Sequence, residues 1–519
     1  MANLGKNSSA DIILLYPKTG LDIGGHTVAP PHSSLAVAAP VHNAGYKVKI
    51  VDMRRDANWQ GTIKQSLSSD TICVGVTTMT GTQVFFAIMM ASYVRHLTGG
   101  KIPIVWGGPH PTILPEQTLQ NENVDIVVVG EGDVTFLELV KALEKKQPLD
   151  GISGIAFKNG GGVTITPPKG LLDVNTLLPV PWDLINVEDY ITPDNYFLKG
   201  SPRTLDVGQT SRGCPHRCGF CLSSSILQKK WRPMTIDRAM DIILEPVKKY
   251  KLTGIWVRDD EFYVSPKRAF TICENIVNSG HNILWYATGS RVDDFNRFTD
   301  ENLELLKRSG AQITKFGAES GNNRILDLIQ KGFHIEDTIK ANLRCKKHGI
   351  IPAYSLIIGF PTETIEEINN TINFGFRLRR DNPSAQLETM PTYTAFPCTP
   401  MYDLALSLGL RPPDRLEGWA DWILDDYDLE GRQIPWFNRR QRLWIGNISY
   451  LSILAHAIGN VAGGIENKFW RAFFSSVLVP MQSYYRWRLK HKFYKRLPEL
   501  RVARYLRKKI FYRSSKMIK

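Results

Sequence analysis

Three of the seven cysteines fall within eight residues, Cys214, Cys218 and Cys221, in the segment SRGCPHRCGFCLSS that begins at Ser211. Three thiolates spaced this way on one loop can meet three corners of an Fe4S4 cube, and no fourth cysteine follows nearby, which leaves one iron open to a further ligand. Gly213 and Gly219 let the backbone turn tightly around such a cluster, and Phe220 can shield it from water. A zinc site is the plainer alternative. It needs a fourth Cys or His, for which His216 inside the loop is badly placed, while His32 and His110 fall in another domain. A cluster used only for electron transfer is the other alternative, and His216 itself reads as a loop residue without a chemical role. The remaining cysteines, Cys73, Cys273, Cys345 and Cys398, are scattered. That usage points to a metal site in a reducing compartment rather than a disulfide framework. The start of the sequence shows no leader pattern, and DIILLY at 11–16 is too short for anything but a strand, so a cytoplasmic protein is expected.

The elements that must position this loop alternate along the chain. At 519 residues two or three domains are expected. From residue 11 to about 145, apolar runs (DIILLY, KVKIVDM, TICVGVTT, IPIVWGG, VDIVVVG) alternate with helical patterns near 33–45, 58–69, 82–98 and 133–145. Strands without strict alternation, separated by helices, predict a parallel, doubly wound sheet over residues 1–148. Residues 149–205, rich in Gly and Pro, read as a linker with a short hairpin. From 206 to 405, six strand-helix repeats follow the cysteine loop and predict a partial (β/α)6 barrel of TIM type, whose active groups gather at the C-terminal strand ends. Residues 406–519 read as a mostly helical, basic region.

Four polar blocks close predicted strands of the second domain: RDDEF (258–262), ATGSRVD (287–293), FGAESGNNRIL (316–326) and IIGFPTET (357–364). They point into the site or, for Asp259, Asp260 and Glu261, cap and bridge the barrel rim. In the first domain no G-x-G-x-x-G follows the first strand, which argues against a dinucleotide. The strand-end loops are instead GVTTMTGTQ (75–83), VWGGPHPTILPE (105–116) and VVVGEGDVTF (127–136). Their paired glycines let backbone lie flat against a broad ligand.

The cysteine spacing ahead of a βα barrel resembles the radical SAM superfamily, in which the open iron chelates S-adenosylmethionine. With the strand-end blocks and the first domain, the chain resembles the cobalamin (B12)-binding-domain radical SAM family over roughly residues 10–410. That resemblance implies three cofactors: a 4Fe-4S cluster, S-adenosylmethionine and cobalamin. It places Glu319 and Ser320 at the methionine and ribose parts of S-adenosylmethionine, Arg291 at its carboxylate, Gly359 and Pro361 at the adenine wall, and Phe220 beside it. It places Thr77, Thr78 and Gly81 at the corrin face, with Gly107, Gly108, Gly130 and Gly132 around the nucleotide tail. The D-x-H-x-x-G signature of a lower axial histidine is missing, since DIGGH (22–26) has the wrong spacing. Cobalamin bound without a histidine ligand is therefore implied. The implied chemistry is reductive cleavage of S-adenosylmethionine, hydrogen abstraction from an unactivated carbon and, first in rank, methyl transfer to it. Oxidative cyclisation ranks second, and a carrier of electrons or methyl groups is the non-enzyme alternative. Ferredoxin or flavodoxin is the implied electron donor.

In the same family's last strand-end block a glycine usually stands where this chain has Cys398, and a small packing role is expected of that cysteine. Beyond it, Trp436–Lys519 holds 19 Lys and Arg against two Glu, so the formal charge of +14 belongs to the tail. The apolar stretch from Ile445 to Ile465 has the length of a membrane span, but its Asn447, Ser449, His456, Asn460 and glycines make spanning costly. The run YYRWRLKHKFYKRLPELRVARYLRKKIF reads as interfacial helices at a membrane surface, which would suit a lipid or tetrapyrrole-like substrate. Its rivals are a solvated basic helix and, least favoured, nucleic acid.

Overall fold

The computed structural model describes residues 9–19, 29–194, 198, 200–422, 431–456, 468–495 and 497. The chain forms two compact units, Met1–Ile191 with Pro412–Asp425, and Thr192–Arg411 with Asp426–Lys519.

The first unit holds strands β1 (Ile12–Tyr16), β2 (Val48–Asp52), β3 (Cys73–Thr77), β4 (Ile104–Gly107), β5 (Ile126–Val128), β6 (Ile155–Asn159) and β7 (Gly162–Ile165) in the order β2-β1-β3-β4-β5-β6-β7. The first five pair in parallel, and β6 and β7 add as an antiparallel hairpin on β5. Helices α1 (His32–Asn43), α2 (Trp59–Ser66), α3 (Thr82–Thr98), α4 (Pro109–Ile113), α5 (Pro115–Leu119) and α6 (Gly132–Glu144) connect the strands. This is the doubly wound sheet expected of the sequence, and its order reverses between β1 and β3, where such sheets bind ligands. Two boundaries differ from expectation. The segment from 149, expected as a linker, is not free, because GIAFKNGGGVTI pairs as a hairpin onto the sheet edge. Residues 412–425 return from the second unit to the first. Trp419 is buried there, its Nε1 donates to Gln117 Oε1 at 2.5 Å, and Asn121 Nδ2 donates to Glu417 Oε1 at 2.5 Å.

The second unit begins with β8 (Thr192–Asp194), antiparallel to β9 (Ser201–Gly208), followed by a two-residue antiparallel pair, β10 (Ser211–Arg212) and β11 (Arg232–Pro233). Then come β12 (Gly254–Val257), β13 (Leu284–Ala287), β14 (Ile313–Glu319), β15 (Ile351–Leu356) and β16 (Gln386–Leu387). β9, β12 and β13 pair in parallel, as do β14, β15 and β16, and a parallel bridge from Trp285 to Ala311 joins the two sets. Six parallel strands thus form the open barrel. Helices α7 (Leu222–Ile226), α8 (Ile236–Tyr250), α9 (Pro266–Asn278), α10 (Val292–Phe295), α11 (Asp300–Arg308), α12 (Asn323–Leu328), α13 (Ile335–His348), α14 (Ile365–Asp381) and α15 (Pro400–Ser407) follow the strands. In α8 the buried positions Ala239, Met240, Ile243, Pro246 and Val247 make one apolar stripe, and the Thr235 hydroxyl accepts from Arg238 N at the cap. α14 opens on a capping box between Thr364 and Glu367.

Two long helices close the second unit, α16 (Arg439–His456) and α17 (Lys468–Lys490). Among the described residues no helix is long and apolar enough to cross a membrane. Much of the predicted interfacial run, from 498 onward, lies outside the described residues, as does DIGGH (22–26).

Candidate functional site

The cysteine loop leaves the C-terminal end of β9, the first barrel strand, and is fastened on both sides. Asp259, just past β12, accepts from Thr210 N at 2.6 Å, Thr210 Oγ1 at 2.8 Å and Ser211 Oγ at 2.6 Å. Asp260 accepts from Gly213 N at 2.9 Å, immediately before Cys214, and from Ser223 Oγ at 2.7 Å, shortly after Cys221. The two carboxylates therefore hold the loop rather than projecting from the rim. Gly213 has φ +84°, and any Cβ there would meet the Lys230 carbonyl, so this turn accepts only glycine. In mid-loop, Gly219 N donates to Ile329 O at 2.8 Å and its carbonyl accepts from Met401 N at 2.9 Å.

Two cations, Arg291 and Lys331, stand beside Cys218. Arg291 Nη1 lies 3.3 Å from Cys218 Sγ, while its Nε and Nη2 donate to Asp293 at 3.0 and 2.9 Å, and Nη2 also meets the Lys331 carbonyl. Lys331 is buried, with Nζ 2.8 Å from Glu319 Oε1 and 5.8 Å above the centre of the Phe220 ring. Burial pushes the Cys214 thiol up to about 12, with Glu261 and the other two cysteines adding to the rise and a backbone hydrogen bond at His216 opposing it. Cys221 is raised for the same first reason, burial. Buried thiols of this kind ionise when a cation meets them, which iron supplies. Among the described residues no three His, Cys, Asp or Glu side chains form a single-ion site. Three thiols on one loop suit a cluster with one open iron, whereas tetrahedral zinc needs a fourth protein ligand.

Glu261 completes the wall beside the loop. It is 2 % exposed, and burial raises its carboxyl to about 8, with Asp294 adding and the Tyr263 amide, Arg291 and Lys331 opposing. Glu319 ends β14 in a register shift and holds φ +59°, a conformation disfavoured for a side chain of this size. Strain of this sort at a barrel strand end belongs to functional sites. Phe220 packs edge-on to Phe360 at 5.9 Å, between Gly359 and Pro361. Gly359 has φ +86°, and Glu363 Oε2 accepts from Gly359 N at 2.6 Å and Phe360 N at 3.0 Å. A cavity of about 430 Å³ opens beside the loop, lined in part by His216, Arg217, Arg291, Asp293, Lys331 and Gly332.

The structure thus gathers Cys214, Cys218, Cys221, Phe220, Arg291, Glu319 and the Gly359–Pro361 turn at one barrel edge. Ser320 is placed differently. Fully buried, its hydroxyl pairs with Thr371 Oγ1 at 3.2 Å and accepts from Asn322 N at 3.2 Å, so it serves the loop's own scaffold. Cys398 does not pack as expected. It is exposed with φ +66°, at a turn whose left-handed backbone explains why glycine would suit the position. Lys331 and the His216–Asp294 contact of 3.0 Å escape sequence reasoning, and a single lysine in the turn QKGF carries no pattern by which to find it.

In the first unit, β1, β3, β4 and β5 end at a common edge. Gly107 and Gly130 (φ +86°) stand open there, since a Cβ at Gly130 would meet nothing within 4 Å and one at Gly107 only Val128. Gly81 (φ +114°) precedes α3, and Thr77 Oγ1 lies 3.1 Å from Ser33 Oγ. This open glycine edge fits a flat ligand such as a corrin. Gly108 and Gly132 act otherwise. A Cβ at Gly108 would press on Thr78 O at 2.8 Å and one at Gly132 on Val37 at 3.1 Å, so both permit close packing. Thr78 is fully buried, its N donating to Gly107 O at 2.9 Å. His110 is buried, held neutral by burial that lowers it to about 4, and pairs through Nδ1 with Thr80 Oγ1 at 3.0 Å. It is a member of the loop core.

Comparison with known proteins agrees with this fold. The family model for the radical SAM superfamily matches residues 209–375, and that for the B12 binding domain matches residues 26–140. An uncharacterized methyltransferase of Pyrococcus horikoshii is 34 % identical over 387 residues, covering 74 % of this chain and 80 % of its own. The anaerobic magnesium-protoporphyrin IX monomethyl ester cyclase of Rubrivivax gelatinosus is 27 % identical, covering 58 % of this chain and about half (53 %) of its own length. The cytidylyl-2-hydroxyethylphosphonate methyltransferase of Streptomyces wedmorensis is 26 % identical over 65 % of this chain and 71 % of its own. Among solved structures, the cobalamin-dependent S-adenosylmethionine radical enzyme OxsB superposes with a TM-score of 0.69 over 96 % of this chain and 75 % of its own at 19 % identity. The radical S-adenosylmethionine methyltransferase TsrM of Kitasatospora setae gives 0.63 over 92 % and 99 % at 16 % identity. These two likenesses are of fold.

Proposed function

The chain belongs to the radical SAM enzymes that carry a B12-binding domain, and from that premise we propose that it methylates an unactivated carbon of a hydrophobic, lipid or tetrapyrrole-like substrate. The observation that carries this reading is the cysteine loop fastened at the first strand end beside a cationic wall, in a chain that also has an open glycine edge on its other sheet. When bound, the 4Fe-4S cluster, S-adenosylmethionine and cobalamin supply one-electron bond cleavage and a transferable methyl group. The chain's own residues hold and screen. Cys214, Cys218 and Cys221 ligate iron, Asp259 and Asp260 fix the loop that carries them, and Arg291 and Lys331 offset negative charge on the thiolates. Phe220 and Phe360 exclude water from this side. Arg291 is the candidate for the S-adenosylmethionine carboxylate, Glu319 for the methionine part, and Gly359 and Pro361 for the adenine wall. Thr77, Gly81, Gly107 and Gly130 offer backbone and small side chains to the corrin. An acidic electron donor such as ferredoxin or flavodoxin suits the exposed Arg217 beside the loop.

A second reading, oxidative ring closure, is favoured by the likeness to a relative named as a cyclase. Product mass separates the two. Anaerobic incubation with a reductant, methyl-labelled S-adenosylmethionine and a lipid or pigment extract is expected to place label in an extractable product. Formation of 5'-deoxyadenosine with an unlabelled product lighter by two hydrogens would favour the cyclase. The enzyme would be cytoplasmic, with the basic C-terminal region holding it at a membrane surface, where such substrates reside.

A further inference from the structure

The last described part of the second unit carries an aromatic surface that the proposed reaction does not use. Helix α17 turns one side toward the body, burying Tyr485, Arg488 and Leu489. On its other side Tyr484 is 53 % and Trp487 48 % exposed. The helix then ends in a tight turn through Lys492 (φ +60°), where Phe493 N donates to Arg488 O at 2.8 Å. That turn folds Phe493, 56 % exposed, back beside Trp487, and the two rings stack at 5.2 Å with an interplanar angle of 11°. Tyr484 continues the stack at 6.4 Å and 17°.

The arrangement is anchored by hydrogen bonds. Tyr494 OH donates to Asn369 Oδ1 at 2.9 Å on α14, Asn447 Nδ2 of α16 donates to Tyr494 O at 2.7 Å, and Arg488 Nε donates to Phe493 O at 3.1 Å. The backbone on either side of the ring stack is therefore tied down, and the rings are presented rather than tucked away. Lys490, His491, Lys492 and Lys495 are exposed around them, and Lys495 Nζ lies 5.2 Å above the Trp444 ring. No carboxylate occurs between Glu466 and Glu499. The stack, together with Trp444, Ile365 and Asn369, lines a groove of about 860 Å³. Single exposed aromatics are ordinary, but three in one stack with Lys490, Lys492 and Lys495 exposed around them make a patch that seeks a partner. The charge complement is anionic, and the flat aromatic surface needs an apolar layer directly beneath the anions. A bilayer offers both, since Trp and Tyr settle at the headgroup boundary while lysine stems reach the phosphates.

We propose that the face formed by Tyr484, Trp487, Phe493, Lys490, Lys492 and Lys495 docks on the surface of an anionic lipid bilayer, the rings entering at the headgroup level and the lysines meeting lipid phosphates. The proposal deepens the membrane-surface placement given above and rests on it for its setting, but binding to vesicles needs neither cofactor nor turnover. Its failure is thus read separately from failure of the reaction.

The test is flotation of the full-length protein with vesicles of phosphatidylcholine containing about 30 % phosphatidylglycerol, beside vesicles of phosphatidylcholine alone and free inorganic phosphate as competitor. Binding is expected to the anionic vesicles, weakened strongly at about 0.5 M salt and unaffected by millimolar phosphate. The double variant Lys492→Glu, Lys495→Glu should lose at least about tenfold in partitioning, because each neutralised lysine alone removes roughly fivefold. Trp487→Ala with Phe493→Ala should lose a comparable factor at every salt concentration, and both pairs should keep the parent's circular dichroism since all four side chains are exposed. Absence of flotation, equal binding to neutral vesicles, competition by free phosphate, or wild-type binding by both double variants would each overturn the proposal. So would salt-sensitive retardation of single-stranded RNA that the same variants abolish while vesicle binding stays intact.

Discussion

The two sheets of this chain present their C-terminal strand edges in opposite styles. At the barrel edge the loops carry charged side chains, Asp259, Asp260, Glu261, Arg291, Glu319 and Lys331, nearly all buried and bonded to one another or to the cysteine loop. At the first unit's edge the loops carry glycine and threonine, and Gly107 and Gly130 leave open space where side chains would stand. The difference teaches what each edge is for. Charged side chains with fixed partners hold small, highly charged groups in one geometry, whereas bare backbone lets a broad, flat ligand approach over many atoms.

The contrast breaks most completely at the cysteines. Replacing any one of Cys214, Cys218 or Cys221 with alanine is expected to abolish 5'-deoxyadenosine formation and to lower bound iron sharply, while cobalamin retention stays at the parent level. Loss of cobalamin together with iron would show that the two edges are not independent. Asp260→Ala comes next. Without the acceptor for Gly213 N and Ser223 Oγ, cluster retention and activity should fall on the order of 10- to 100-fold, as removal of outer-shell partners does, and Asp260→Glu should recover part of it. An iron signal identical to the parent's in Asp260→Ala would argue against the clamp.

A smaller effect is expected on the other edge. Gly130→Val forces a branched side chain into a left-handed backbone and fills the open space, so cobalamin should be retained on the order of tenfold less tightly. Iron content should not change, and unchanged cobalamin retention would remove Gly130 from the ligand face.

The smallest prediction concerns pH. Burial raises Glu363 to about 8, so the folded chain holds a proton there that the unfolded chain releases near the ordinary carboxylate range. The folded state binds more protons than the unfolded one between those two values. This contribution to stability is therefore complete at low pH and lost as pH rises toward 8. Denaturant titrations of the apo chain across this window should show a shallower pH slope for Glu363→Gln than for the parent. Parallel slopes would mean that the carboxyl is ionised in the fold.

Much of this is legible in the sequence, for reasons that differ along the chain. The alternation of apolar runs and helical patterns marks the parallel strands of both units, because strands covered on both faces are largely apolar, although β2 carries the exposed Lys49 and β14 the polar Thr314 and Lys315. The cysteine loop declares itself because three like residues at fixed spacing have few structural uses. The segment of β6 and β7 reads as a hairpin but not as part of the sheet, since pairing onto β5 is a tertiary event that local pattern does not encode. The return of residues 412–425 to the first unit depends on Trp419 reaching Gln117, a contact across about 300 residues. Lys331 is invisible for a related reason: its meaning comes from Glu319 and Phe220, which the fold brings to it. Gly108 and Gly132 look like Gly107 and Gly130 in the sequence, and only the neighbours of each Cβ tell a packing glycine from an open one.

The central claim is that the three cysteines hold a cluster with one iron left open beside the cationic wall. Electron paramagnetic resonance of the anaerobically reconstituted, reduced protein, recorded without and with S-adenosylmethionine, tests it most directly. The account predicts about four irons per chain and a cluster signal that changes when S-adenosylmethionine is added. A cluster whose signal does not respond, or zinc in place of iron, would contradict it.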